Sequence, residues 1–295
     1  MESAFITGIG GFTGRYLAAE LRAAGFDVTG TELPGRDSVA FNTYQCDLCD
    51  RSATMAVLAE AKPDVIVHLA GIAFVGHGDV DAIYRTNVVG TRNLLEAISA
   101  CGHKPRTILL ASSSTVYGNS SADCLDEATP PAPANDYAVS KLAMEYMAKL
   151  WLDRLSINFV RPFNYTGVGQ STQFLLPKIV DHFRRRAPVI ELGNLDVIRD
   201  FSDVRAVVRH YRQLIEVSQY GEIFNLCSGT GHSLQEVISI LRKLSGHNLE
   251  VVVNPAFVRT NEVKRLIGSP AKLEATIGRL NAYPIQDTLR WMLAA

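Results

Sequence analysis

Thr7-Gly8-Ile9-Gly10-Gly11-Phe12-Thr13-Gly14 is the stretch on which the fold turns. It follows an apolar run, Ala4–Thr7, and opens a helical pattern, Gly14–Ala24. Glycines at 8, 11 and 14 meet three separate needs. Gly8 permits a tight strand-to-helix turn, Gly11 lets the backbone approach a pyrophosphate, and Gly14 lets the helix pack on the strand. The helix N-terminus then faces the phosphates. A glycine pattern alone is weak, but here it sits between a strand and a helix, as dinucleotide binding requires. Glu32, 18 residues after Gly14 at the end of the next strand, would accept hydrogen bonds from ribose hydroxyls and repel a 2′-phosphate. That favours NAD(H) over NADP(H), with Arg36 in the same loop arguing the other way.

Outward from this loop the chain alternates strands and helices. Strands are predicted at Ala4–Thr7, Val28–Thr31, Val65–Leu69, Thr107–Ala111 and Ile157–Arg161, rich in Ile, Val and Leu without polar alternation. Such runs are buried on both faces. Helices are predicted between them at Gly14–Ala24, Ser52–Ala61, Asp79–Ala100 and Tyr137–Leu155. This is the rhythm of an α/β, doubly wound parallel Rossmann sheet. After Arg161 the rhythm loosens. Pro162–Gln170 reads as a loop, Thr172–Arg186, Phe201–Val217 and Ser233–Ser245 as helices, and Ile223–Leu226 and Leu249–Val253 as strands. From Ala271 the tail reads as short helices around Pro284. The expected division is a dinucleotide-binding domain over 1–163, joined by part of 200–228. A smaller mixed α/β substrate lobe takes 164–199 and 229–295, with the active site between them.

Composition excludes several classes. Of 295 residues, 47% are hydrophobic and 20% charged, and net charge is −1. No basic field points to nucleic acid. No run of about 18 apolar residues would span a membrane. The N-terminus lacks a basic region and cleavage site, and an odd five cysteines fit reduced thiols, so a cytoplasmic protein is expected. Cys46 and Cys49 form a CxxC without a second Cys/His pair, so no metal site is expected.

Tyr137 and Lys141 stand four residues apart, on one helix face. A neighbouring cation lowers a phenol's titration toward neutrality, where it can exchange a proton usefully. Upstream, Ala111-Ser112-Ser113-Ser114-Thr115-Val116-Tyr117-Gly118 ends a strand with hydroxyls that could polarise a carbonyl. Asn87 is polar within an otherwise apolar helix, either satisfying backbone groups or supporting a proton relay.

These features together resemble the extended short-chain dehydrogenase/reductase family over essentially the whole chain. The matching motifs are TGxxGFxG at 7–14, HLAG at 68–71, NVxGT at 87–91, SSSTVYG at 112–118, YxxxK at 137–141, RPFN at 161–164 and RDF at 199–201. The resemblance implies Tyr137 as general acid/base and Lys141 binding the nicotinamide ribose and depressing the tyrosine pKa. It implies Ser113 at the catalytic Ser/Thr position and Asn87 as the relay asparagine. It implies dinucleotide contacts at Gly8, Gly11, Phe12, Thr13, Gly14, Glu32, Asp47, Leu48, Leu69, Ala70, Gly71, Tyr137, Lys141 and Pro162. Substrate contacts follow at Ser114, Asn164, Arg199 and Arg259, the two arginines gripping a pyrophosphate as planar guanidinium groups do. Arg184-Arg185-Arg186 reads instead as a solvated helix end.

Nucleotide-sugar 4,6-dehydratases of this family carry a carboxylate just after the catalytic hydroxyl; Ser114 and Thr115 stand there in this chain, which argues against dehydration. The segments at 162–170, 193–201 and 225–229 resemble the GDP-4-keto-6-deoxy-mannose reductases, although Tyr165, Val168 and Gly71 depart from the usual residues. The expectation is an NAD(P)H-dependent reductase of a nucleoside-diphosphate 4-keto-6-deoxyhexose, GDP- or dTDP-linked, yielding GDP-rhamnose or GDP-6-deoxy-talose. A nucleotide-sugar 4-epimerase is the alternative, and a non-catalytic NAD(P)H sensor the remote one. Helices bearing Asn87 and Tyr137 pair across a dimer in many relatives, which implies a homodimer.

Overall fold

A computed structural model describes residues 1–35, 41–73, 78–258, 261–279 and 283–295. The first half runs β1 (Ser3–Thr7), α1 (Phe12–Ala23), β2 (Asp27–Glu32), β3 (Asn42–Gln45), α2 (Arg51–Ala61), β4 (Val65–His68), α3 (Val80–Tyr84), a π-helical turn Arg85–Gly90, α4 (Thr91–Ala100), β5 (Thr107–Ala111), a 3₁₀ turn Ser114–Tyr117 and α5 (Asp136–Lys149). The second half runs β6 (Ile157–Pro162), β7 (Asn164–Thr166), α6 (Leu175–Arg184), β8 (Val189–Leu192), β9 (Ile198–Asp203), α7 (Val204–Ile215), β10 (Ile223–Leu226), β11 (Gly231–Ser233), α8 (Leu234–Ser245), β12 (Glu250–Val253), β13 (Arg265–Leu266), α9 (Ala271–Ile277) and α10 (Ile285–Ala294).

Seven parallel strands form the main sheet in the order β10-β6-β5-β4-β1-β2-β3. Side chains alternate across it, as strand geometry requires. Ile6, Val67 and Leu109 meet Leu17 and Leu21 of α1 and Val207 and Leu214 of α7 on one face. Phe5, Ile66 and Ile108 meet Leu58 of α2, Leu94 and Ile98 of α4 and Met144 of α5 on the other. A second core joins α6, α8 and α10 to β8 and β12, through Ile179, Phe183, Val237, Leu241 and Leu289. Between the cores lies a four-stranded sheet in which β9 pairs with β11, β13 and β7. Strand order reverses between β1 and β4, and the crevice outside their carboxyl ends is where such sheets bind ligands.

The structure corrects several expectations. Phe201 lies in β9, not in a helix; the helix begins at Val204, where Asp203 caps it by accepting from the Arg205 amide at 2.8 Å. The segment read as a loop after Pro162 contains β7. The expected helix 79–100 is interrupted by the π turn around Asn87. Such turns are rare and concentrate at functional sites.

Backbone is so close at the first βα turn that Gly14 has no room for a side chain. A Cβ there would stand 2.4 Å from the Gly8 carbonyl oxygen and 2.5 Å from that of Ile9. Gly14→Ala is therefore expected to cost about 1–3 kcal/mol of stability, the range for overpacking a tight interior. Denaturant unfolding checks it, and an unchanged midpoint would contradict it.

Candidate active site

The loop Gly8–Gly11 delivers the chain into α1 with no side-chain cap and no acidic residue in the first turn. The first amides of the helix thus lack intrahelical acceptors and are available to an anion. Gly8 has φ +70° and lies against the next loop, since a Cβ on it would be 3.1 Å from the Ala70 nitrogen. Leu69 and Ala70 donate their amides to the Thr7 hydroxyl at 3.2 and 3.1 Å, which pins the two loops together. Glu32 is buried, and its Oε1 has no hydrogen-bond partner among the described residues. An orphaned carboxylate oxygen at this strand end is the acceptor that ribose hydroxyls would satisfy. The residues present therefore fit a dinucleotide. Leu48 is buried, with its carbonyl held by Asn93 at 2.9 Å, while Asp47 is exposed and accepts from the Cys49 amide. Pro162 ends β6, Gly71 is exposed, and Arg36 lies outside the described residues.

The hydroxyl-bearing strand end and α5 meet across this crevice. Ser113 caps the 3₁₀ turn and its Oγ accepts from the Thr115 amide at 3.2 Å and the Thr115 hydroxyl at 2.9 Å. Its own proton is left to donate toward the Tyr137 oxygen. Tyr137 sits in the first turn of α5, whose N-terminus is capped by Asn135 at 2.9 Å from the Ala138 amide. Burial pushes the Tyr137 phenol up to about 12, and a hydrogen bond with Ser113 pulls the other way. The depressed tyrosine expected from the neighbouring lysine is not what the structure shows: loss of hydration dominates, and Tyr165 adds to it. Lys141 itself is pushed down to about 8 by burial, with Glu145 opposing, and its Nζ donates to the Ala111 carbonyl at 2.8 Å.

Asn87 satisfies backbone with its side chain. Its Oδ1 accepts from the Ile72 amide at 2.9 Å, and its Nδ2 donates to the Ile72 carbonyl at 3.2 Å and the Ser140 hydroxyl at 3.0 Å. It therefore clamps the loop after β4 to α5. A Cβ on Gly71 would stand 2.8 Å from Asn87 Oδ1 and 3.3 Å from Lys141 Nζ, so the loop passes directly over both groups. Behind them, Thr91 donates to the Asn87 carbonyl at 2.7 Å. The Thr91 hydroxyl must then accept from His68 Nε2 at 2.8 Å, leaving His68 Nδ1 to accept from Thr7 at 2.7 Å. Burial, with Lys141 adding to it, pushes His68 down to about 3, so the imidazole is neutral and structural.

Of the expected substrate residues, Ser114 is buried in the 3₁₀ turn and Asn164 is exposed at the start of β7. Arg199 is nearly buried and donates to Glu262 at 2.6 Å and to the carbonyls of Ile198 and Lys264 at 3.0 and 3.3 Å. Arg259 lies outside the described residues. Arg184 and Arg185 pair with Asp181 on the surface. Cys46 is buried beside Thr54, and Cys49 faces the Arg85 carbonyl. Sequence reasoning missed one participant. Tyr165 stacks on Phe12 at 6.2 Å and bonds the Thr13 hydroxyl at 2.7 Å, tying the start of α1 to β7. The unusual residue type at that position was its one sequence signal.

Known proteins share this architecture. The family described as GDP-mannose 4,6-dehydratase matches residues 5–292. A protein of Aggregatibacter actinomycetemcomitans named GDP-6-deoxy-D-talose 4-dehydrogenase is 35% identical over 92% of this chain and 90% of its own. One of Pseudomonas aeruginosa, named GDP-6-deoxy-D-mannose reductase, is 34% identical over 98% of this chain and 95% of its own. Among solved structures, a putative epimerase from Burkholderia cenocepacia J2315 superimposes with TM-score 0.93 and 53% identity, covering 99% of this chain and 97% of that one. RMD from Pseudomonas aeruginosa, complexed with NADPH, gives TM-score 0.87 and 32% identity over 100% and 98%. The chain belongs to the GDP-mannose 4,6-dehydratase family of extended short-chain dehydrogenases/reductases.

Proposed function

We propose that this chain reduces the C4 ketone of a GDP-linked 4-keto-6-deoxyhexose, giving GDP-rhamnose or GDP-6-deoxy-talose. The observation that carries the reading is the pair of hydroxyls, Ser113 and Tyr137, with Thr115 rather than a carboxylate hydrogen-bonded beside them. Dehydration would need a base there to remove the C5 proton, and threonine cannot serve. The names of the two curated relatives support a GDP-linked 6-deoxyhexose and chemistry at C4.

A nicotinamide dinucleotide, held by Gly8–Gly14 and Glu32, supplies the hydride when bound. The rest falls to the protein. Ser113 donates to the ketone oxygen and stabilises the charge that grows there. Tyr137 gives the proton, its burial favouring the neutral phenol that carries it. Lys141 places a positive charge at the same site, and Asn87 holds the loop that covers it. Glu32 favours NADH, because a buried carboxylate opposes a 2′-phosphate; the Pseudomonas structure with NADPH makes both cofactors necessary in the assay. Arg199 and Arg259 are proposed to hold the pyrophosphate, Arg199 leaving Glu262 to do so.

The test is oxidation of NADH or NADPH, followed by absorbance, with GDP-4-keto-6-deoxy-mannose and separately a dTDP-linked 4-keto sugar. Consumption with the GDP sugar is expected, with product NMR fixing C4. Interconversion of a nucleotide hexose without added cofactor would support an epimerase instead, the activity for which the Burkholderia protein is named.

The reading includes a homodimer in the cytoplasm. No helix of the described residues is long and apolar enough to cross a membrane, and all five cysteines are unpaired. Val80 of α3, Val89 of the π turn, Val139 and Tyr146 of α5 and Leu150 just past its end are exposed, the last at 72%. These elements pack side by side, and a second copy would bury that apolar face. Leu150→Glu with Tyr146→Glu is expected to halve the particle mass in light scattering. A dimer that survives both would place the contact elsewhere.

A further inference from the structure

We propose that the buried pair Glu145–Arg161, anchored through Tyr117 and Asn225, is a positioning element for Lys141 and for the turn that carries Ser113. It rests on the reductase reading above.

Tyr137, Lys141 and Glu145 recur every four residues along α5, so they line one helix face, and all three are buried. Glu145 accepts from Arg161 Nε at 2.9 Å and from Nη2 at 2.6 Å, a two-pronged ion pair inside the protein. The guanidinium then lies over the Tyr117 ring, 4.9 Å from its centre. Tyr117 ends the turn that begins at Ser114, and its hydroxyl donates to Asn225 Oδ1 at 2.7 Å. Asn225 is fixed in turn: its amide donates to Glu127 at 2.7 Å and its Nδ2 to the Leu125 carbonyl at 3.0 Å. One unbroken chain of contacts therefore joins α5, β6, the turn after Ser113 and β10.

Packing alone does not explain it. Apolar side chains of similar volume commonly stabilise such a site as well as a buried ion pair, or better. A carboxylate one helical turn below Lys141 does something a leucine cannot: it opposes the loss of hydration that drives the ammonium toward neutrality. The groups facing Lys141 are few. Tyr137 and Glu145 share its helix, His68 of β4 is uncharged near neutral pH, and Arg161 of β6 and Tyr117 lie behind Glu145. Glu145 is thus the nearby negative charge on α5, and Arg161 fixes where it sits.

The test uses the full-length enzyme and its pH profile. Without the carboxylate, Lys141 sheds its proton at lower pH, so in Glu145→Gln the alkaline fall in kcat/KM should move down by about one unit, a roughly tenfold loss at a fixed pH on that limb. A merely structural role would lower the melting temperature and leave the limb in place. Tyr117→Phe keeps the ring over Arg161 but releases the turn, and kcat should fall by roughly 2- to 10-fold, as for loss of one hydrogen bond, with less change in KM. A folded Glu145→Gln enzyme with an unmoved limb overturns the proposal. Should that variant not fold, Tyr117→Phe carries the test, and unchanged kcat overturns it. Failure of the reductase reading is distinguishable: the unaltered enzyme would then consume no reduced dinucleotide with any 4-keto sugar.

Discussion

Replacing Tyr137 by phenylalanine should lower turnover by about 10²–10⁴-fold, the contribution typical of a positioned proton donor. The ring is buried at the start of α5, and phenylalanine keeps that packing, so the fold and dinucleotide binding should survive. What goes is the proton for the alkoxide and the hydroxyl that shares Ser113. Because this interaction grows as charge develops on oxygen, the loss should fall on kcat rather than KM. Steady-state kinetics with the 4-keto sugar checks it. Turnover within a few-fold of the unaltered enzyme would remove Tyr137 from the mechanism.

Arg161→Met should be the most destabilising single change, at about 3–5 kcal/mol, because it strands the Glu145 carboxylate in the interior. The side chains are 3% and 1% exposed, so water cannot take over from the lost partner. Removing both charges together, as Glu145→Gln with Arg161→Met, should recover much of that loss. Chemical denaturation of the two variants separates the cost of a stranded charge from the cost of altered packing. Equal losses in the single and double variants would contradict the argument.

How much of this was legible in the sequence follows from which interactions are local. The five apolar runs of the main sheet are strands buried on both faces, and the glycine spacing reports contacts within one βα turn, as the 2.4 Å approach at Gly14 shows. Polar strands were not legible. Asn42–Gln45 is a half-exposed edge, and β9 carries Arg199, Asp200 and Asp203 inside the protein. Many of their partners lie far along the chain: Glu262 for Arg199, Ser228 and Gly229 for Asp200, and Thr288, beside the local Arg205, for Asp203. Nothing in the strand itself announces them. The motifs placed Ser113, Tyr137 and Lys141 on the right elements. They could not reveal how deeply the phenol is buried, which is why its titration moves up where a neighbouring cation alone would move it down. Asn87 offered two readings, and the clamp on Ile72 and Ser140 shows where its side-chain groups go.

Net reduction at C4 is probed most directly by stoichiometry. Purified enzyme is mixed with GDP-4-keto-6-deoxy-mannose and limiting NADH or NADPH, and oxidised dinucleotide is counted against reduced sugar by NMR. One equivalent of dinucleotide should be oxidised for each ketone lost. Sugar interconverted with no dinucleotide consumed would contradict reduction and make the same Ser113, Tyr137 and Lys141 the machinery of an epimerase.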